Sequence, residues 1–107
     1  MTQAPDRFRV ELIGQASSHL ERLTARAEQL DLRGLLIEVL REMMENLETR
    51  PREWGDPYIN YRNLNAVGYG CTLNTARLRI AYAVHNMEPL VWLSRVTPLT
   101  DSPFKED

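Results

Sequence analysis

Arg77-Leu78-Arg79-Ile80-Ala81-Tyr82-Ala83-Val84, then His85-Asn86-Met87-Glu88-Pro89, then Leu90-Val91-Trp92-Leu93-Ser94-Arg95-Val96: two apolar runs around a polar break decide the fold. Alternation of this kind marks a half-buried strand, and a short polar segment between two such runs predicts a β-hairpin. In the first run Leu78, Ile80, Tyr82 and Val84 share one face, which leaves Arg77, Arg79, Ala81 and Ala83 on the other.

Upstream of the hairpin, Tyr61 to Cys71 has strand-like composition without clean alternation, and Gly68-Tyr69-Gly70-Cys71 suggests a turn or bulge. That tetrapeptide lacks both the spacing and the following helix of a phosphate-cradling loop. Arg50-Pro51 ends a long helical pattern near Thr49, because a proline restricts the residue before it to extended backbone. Within that pattern Leu32, Leu35, Leu36, Val39, Leu40, Met43, Met44 and Leu47 form a broad apolar stripe, with Asp31 as its start signal. Before it, Ala16, Leu20, Leu23, Ala27 and Leu30 recur at helical spacing from about Gln15 to Gln29. The break at Asp31 to Gly34 favours a helical hairpin and leaves one long kinked helix as the alternative. Earliest of all, Phe8, Val10 and Leu12 alternate with Arg7, Arg9 and Glu11 as a strand that Gly14 ends. The order predicts one α+β domain over residues 1–107: a strand, a helical hairpin, then a three- to four-stranded antiparallel sheet that the first strand joins. A short polar N-terminus and an acidic tail from about 100 to 107 flank it.

Composition narrows the function classes. The chain has 107 residues, 43% hydrophobic and 26% charged, which is ordinary for a single globular domain. Its 13 basic and 15 acidic residues give a net charge of −2, with Lys105 the only lysine, so it has no uniform basic coat for non-specific nucleic-acid binding. The charge is uneven, however. Residues 1–49 hold 6 Arg and 9 acids, whereas residues 50–97 hold 6 Arg and 3 acids, so the basic excess falls on the expected sheet. Cys71 is the only cysteine and His19 and His85 the only histidines, which predicts no disulfide, no metal site and no cofactor. With no apolar span and no basic-then-apolar leader, the expected location is cytoplasmic, with no membrane partner.

Element order and the strand Ala76-Arg77-Leu78-Arg79-Ile80-Ala81-Tyr82-Ala83-Val84, followed by a turn and a hydrophobic strand, resemble the RelE/ParE superfamily of small bacterial toxins, from about Arg7 to Leu99. The resemblance implies a helical hairpin on one sheet face and a concave functional face opposite. It implies either a ribosome-dependent, metal-independent messenger RNA endoribonuclease, or a ParE-like protein that acts on a protein target without catalysis. It also implies a partner antitoxin, with no oligomeric state specified. Arg79 matches the family's strand arginine, which in the RNA-cutting members faces the scissile phosphate. The chain departs from those members in its net charge and in ending with Phe104 where a titratable side chain would serve.

Cleavage of RNA needs charge stabilisation at phosphate and groups that move protons. Arg79 and Arg95 are the candidates for the first role, and for the second either His85, whose ordinary pKa of about 6.5 suits acid/base work, or Tyr61. Trp54, in the unusual Trp54-Gly55-Asp56-Pro57, reads either as a stacking or docking aromatic or as a residue that seals the core. Tyr61 and Arg62 add aromatic and basic character, and Arg77 shares the face of Arg79. His19 reads as a surface residue of the first helix, and Cys71 as a half-buried thiol.

Overall fold

The computed structural model describes residues 7–105. β1 (Arg9–Leu12) leads into α1 (Ala16–Leu30) and α2 (Arg33–Thr49), a single-turn helix α3 (Pro51–Trp54) follows, and β2 (Asp56–Tyr61), β3 (Ala66–Leu73), β4 (Leu78–His85) and β5 (Leu90–Pro98) complete the chain. The strands form one five-stranded sheet in the order β1-β5-β4-β3-β2. The helical hairpin is therefore present, and so is the β4–β5 hairpin.

The sheet differs from expectation in two respects. It has a fifth strand, β2, drawn from the proline-containing segment after Trp54, and β1 pairs with β5 in parallel, which makes the sheet mixed. No local turn joins β1 to β5, so nothing near β1 in sequence fixes its direction. Backbone pairing does, from Arg9 N–H donating to the Pro89 carbonyl through Ile13 N–H donating to that of Leu93. β2 lies at the sheet edge, where a proline without an N–H is tolerated, and its register with β3 slips by a bulge between Pro57 and Ile59.

Asp31 ends α1 and does not start α2. It adopts a left-handed conformation at φ 58°, and the Leu32 N–H donates to the Ala27 carbonyl at 2.7 Å, a closure that satisfies α1's last carbonyls. The hairpin packs on the sheet through Leu23 and Ala27 of α1 and Leu36, Val39, Met43 and Leu47 of α2. They meet Leu78, Ile80, Tyr82 and Val84 of β4 and Val91, Leu93 and Val96 of β5, all of them buried. At the centre, Tyr82 lies between Trp54 and Tyr69, with ring centroids 5.9 and 5.5 Å away, and its hydroxyl donates to the Pro51 carbonyl at 2.6 Å. Burial pushes the Tyr82 phenol well above its ordinary pKa, so it remains a neutral donor.

The described part of the acidic tail packs back onto the domain. Ser102 Oγ donates to the Ala76 carbonyl at 2.7 Å and accepts from the Phe104 N–H at 3.1 Å. Phe104 is 1% exposed and belongs to the core, which removes it from any stacking surface.

Candidate functional site

The sheet face turned away from the helices is open, and its floor is made of small residues. Gly68 lies in register with Ala83, and Gly70 with Ala81, across β3 and β4. Neighbouring side chains lie close over both glycines. A Cβ on Gly68 would sit 2.6 Å from Ile59 Cγ2, and one on Gly70 would sit 2.8 Å from a terminal nitrogen of Arg79. The missing side chain of Gly70 thus lets the Arg79 guanidinium lie across the neighbouring strand. Asp56 is in register with Gly70 on the far side.

Arg95 reaches this face because of a bulge. From Val91 and Leu93, unbroken alternation would turn Arg95 into the core. The register shifts between Ala81 and Tyr82, so that Leu93 pairs with Tyr82 and Arg95 with Ala81, leaving Ser94 as the extra residue. Its Oγ donates to the Ala81 carbonyl at 3.1 Å. Arg95 consequently faces out while Val96 is fully buried.

Above the floor runs a groove with two chemically distinct halves. One, about 460 Å³, is walled by Ile13, Tyr58, Tyr61, Leu64 and Trp92. The other, about 820 Å³, is lined by Gln15, His19, Arg95 and Thr97 and shares Tyr58, Tyr61 and Ser94 with the first. Tyr61 is held above its ordinary pKa by a hydrogen bond with Tyr58, then by burial, so its hydroxyl is neutral. Among the described residues, neither Arg79 nor Arg95 makes a salt bridge, while Arg7 pairs with Glu48 at 2.9 Å, Arg9 with Glu11 at 3.1 Å and Arg77 with Asp101 at 3.1 Å.

His19 is the residue that sequence reading misplaced. β1 covers β5 only from Leu90 to Leu93, so beyond it the β5 edge lacks a strand partner. His19 of α1 fills that gap: its Nδ1 accepts the Val96 N–H at 3.2 Å. Burial, followed by the Arg95 and Arg22 charges, lowers its pKa from the ordinary 6.5. In this neutral state the remaining proton is on Nε2, which makes His19 a donor and not a base. Nothing in the sequence around His19 signals the uncovered strand edge, which arises only once β1 is seen to be short. Trp92 and Tyr58 were equally hard to assign, because alternation identifies a face without saying whether anything covers it.

The other candidates separate. Arg95 and Tyr61 line the groove, and Arg79 lies on the same face. His85 closes the β4–β5 turn, its Nδ1 accepting the Met87 and Glu88 N–H groups at 3.0 Å each, with its ring edge-on to Trp92 at 6.1 Å. Trp54 packs against the core on Tyr82. Arg62 is exposed in the short 3-10 turn Arg62–Leu64. Arg77 precedes β4 with a positive φ of 53°, and its Nε donates to both Asp101 carboxylate oxygens while a terminal nitrogen donates to Asn74 Oδ1 at 2.9 Å, so it staples a turn outside the groove. Cys71 is pushed up to about 11, mainly by burial, and is a thiol at neutral pH.

Among the described residues no cluster of three or more His, Cys, Asp or Glu side chains is placed to hold a metal ion, and no helix is long and apolar enough to cross a membrane. No protein-family model, no curated protein and no solved structure matches this chain.

Proposed function

We propose that this chain is a RelE/ParE toxin-type protein whose open sheet face engages ribosome-bound messenger RNA, with Arg79 at a phosphate. The observation that carries the reading is where two arginines stand. Arg95 lines the groove with Tyr58 and Tyr61, and Arg79 lies across Gly70 on the small-residue floor of the same face, neither with a carboxylate partner among the described residues. Guanidinium forks match phosphate oxygens, and aromatic faces stack unpaired bases, so this pairing of groups fits single-stranded RNA better than duplex.

Chain cleavage in this reading is attack of the ribose 2′-oxygen on the adjacent phosphorus with departure of the 5′-oxygen, leaving a cyclic phosphate; the 2′-hydroxyl proton passes to water and the departing 5′-oxygen takes a proton from water. Arg79 and Arg95 balance the negative charge that builds on the phosphoryl oxygens. An antitoxin peptide laid along the same groove is the partner this reading implies.

A specific observation favours a second reading, a non-catalytic interaction module of ParE-like type. Both imidazoles are engaged through Nδ1, His19 with Val96 and His85 with its own turn, so neither offers a free basic nitrogen in its neutral form. Addition of the purified protein to a cell-free bacterial translation reaction, with mapping of messenger ends, separates the two. Ribosome-dependent cuts by wild type, slowed about 100-fold or more by Arg79→Ala, support the ribonuclease. No cuts by wild type would transfer the function to the interaction module.

A further inference from the structure

A second cleft lies behind the groove, on the other side of the contact between α1 and β5. About 210 Å³ in volume, it is bounded by His19, Arg22, Val96, Thr97, Phe104 and Lys105. His19 and Thr97 also line the polar half of the groove, so the two cavities meet at the His19–Val96 contact. Three cations surround that contact from three separate elements: Arg22 on α1, Arg95 on β5 and Lys105 on the C-terminal segment. Among the described residues none of them makes a salt bridge, and all three are exposed. The C-terminal segment is held in place by Arg26, which donates to the Lys105 backbone carbonyl at 3.2 Å, so the ammonium group is presented from a tethered backbone.

We propose that single-stranded RNA lying on the open face continues over the α1–β5 contact into a second phosphate site made by Arg22 and Lys105, with His19 Nε2–H donating at the crossing. This inference rests on the RNA reading above and extends it from one phosphate to a path. Exposed cations with no carboxylate partner among the described residues create a local positive potential that attracts anions, and an anion that reaches from one cleft to the next is a chain. An acidic peptide would satisfy the cations. It would leave the aromatic faces of Tyr58, Tyr61 and Trp92 unused, whereas a nucleic-acid strand uses both sets of groups.

Fluorescence anisotropy with labelled oligouridylates of about ten and about three nucleotides, over a range of salt, tests the path. In the Arg22→Ala/Lys105→Ala variant, affinity for the longer RNA falls about tenfold and the salt slope drops by about 1.4, the value for two lost single-strand phosphate contacts, while the short RNA binds as before. Both side chains are exposed, and the Arg26 contact is to backbone, so an unchanged melting temperature accompanies the loss. Wild-type affinity of this variant for the longer RNA, with Arg79→Ala still weakened, would overturn the path and leave the RNA reading standing. Failure of the wild type to bind either RNA would overturn both. Polyglutamate bound as tightly as RNA, and lost equally in the double variant, would also overturn the path, because the cleft would then serve an acidic polypeptide.

Discussion

The two faces of β4 are built from interleaved residues of one strand, yet they obey different rules. Leu78, Ile80, Tyr82 and Val84 are large and at most 1% exposed, whereas Arg79, Ala81 and Ala83 opposite them are one long cation over two small side chains. One face is filled to exclude water. The other is kept small, so that long side chains from neighbouring positions lie across it, Ile59 over Gly68 and Arg79 over Gly70. The Ser94 bulge maintains the contrast on β5, because it turns Arg95 outward and returns Val96 to the core within two residues. Large side chains fill the helix-covered face, and the Gly68, Gly70, Ala81 and Ala83 floor leaves room above it for the groove.

The largest effect that would break this contrast is on the filled face. Phe104→Ala removes a ring that is 1% exposed and leaves a cavity under the C-terminal segment. A loss of about 3–5 kcal/mol in urea denaturation is expected. A loss below about 1 kcal/mol would mean that the segment from Leu99 to Lys105 is not part of the packed core.

Gly70→Ala sharpens the comparison from the open side. The new Cβ would meet only the far end of the flexible Arg79 side chain at 2.8 Å, so stability should move by no more than about 0.5 kcal/mol. Arg79 loses its resting place across the strand, and RNA binding should weaken towards the Arg79→Ala level. Normal binding by Gly70→Ala would show that the guanidinium does not need that position.

The smallest effect concerns the point where the two faces meet. His19 protonates near 6.5 when unfolded and at a lower pH when folded, because burial, Arg95 and Arg22 disfavour the charged ring. Between those two values the unfolded chain binds the extra proton. Stability is therefore full above about pH 6.5 and declines as the pH falls below it. His19→Asn keeps an acceptor for the Val96 N–H and removes the titration. Melting temperatures of the two proteins should run parallel above neutrality and diverge below it, with the wild type falling faster. Parallel curves throughout would refute a lowered pKa at His19.

Periodicity made the filled face legible. The apolar positions of α1, α2 and β4 were readable because each repeats at its own element's spacing, and the hairpin was readable because a polar break separates two such repeats. The open face left weaker traces. Arg79 and Arg95 stood out as charges in apolar strands, but the bulge that aims Arg95 depends on cross-strand pairing, which sequence does not display. Trp54 was read two ways, and its stack on Tyr82 follows from where α3 sets it down. Asp31 carries the composition of a helix start and serves as a helix end, since aspartate suits both the capping and the left-handed positions. His19 was invisible because its role belongs to a strand edge far away in the chain.

The parallel pairing of β1 with β5 also bears on how the molecule is made. During synthesis the segment Arg9–Leu12 and helices α1 and α2 are made before Leu90–Leu93, so the apolar stripe of α2 and the alternating face of β1 must wait for their partners. Chain closure by such distant contacts slows folding relative to neighbour-by-neighbour assembly, and it exposes the waiting surfaces to other chains in the interval. The nascent protein is thus most vulnerable to capture by chaperones or proteases until its last strand is added.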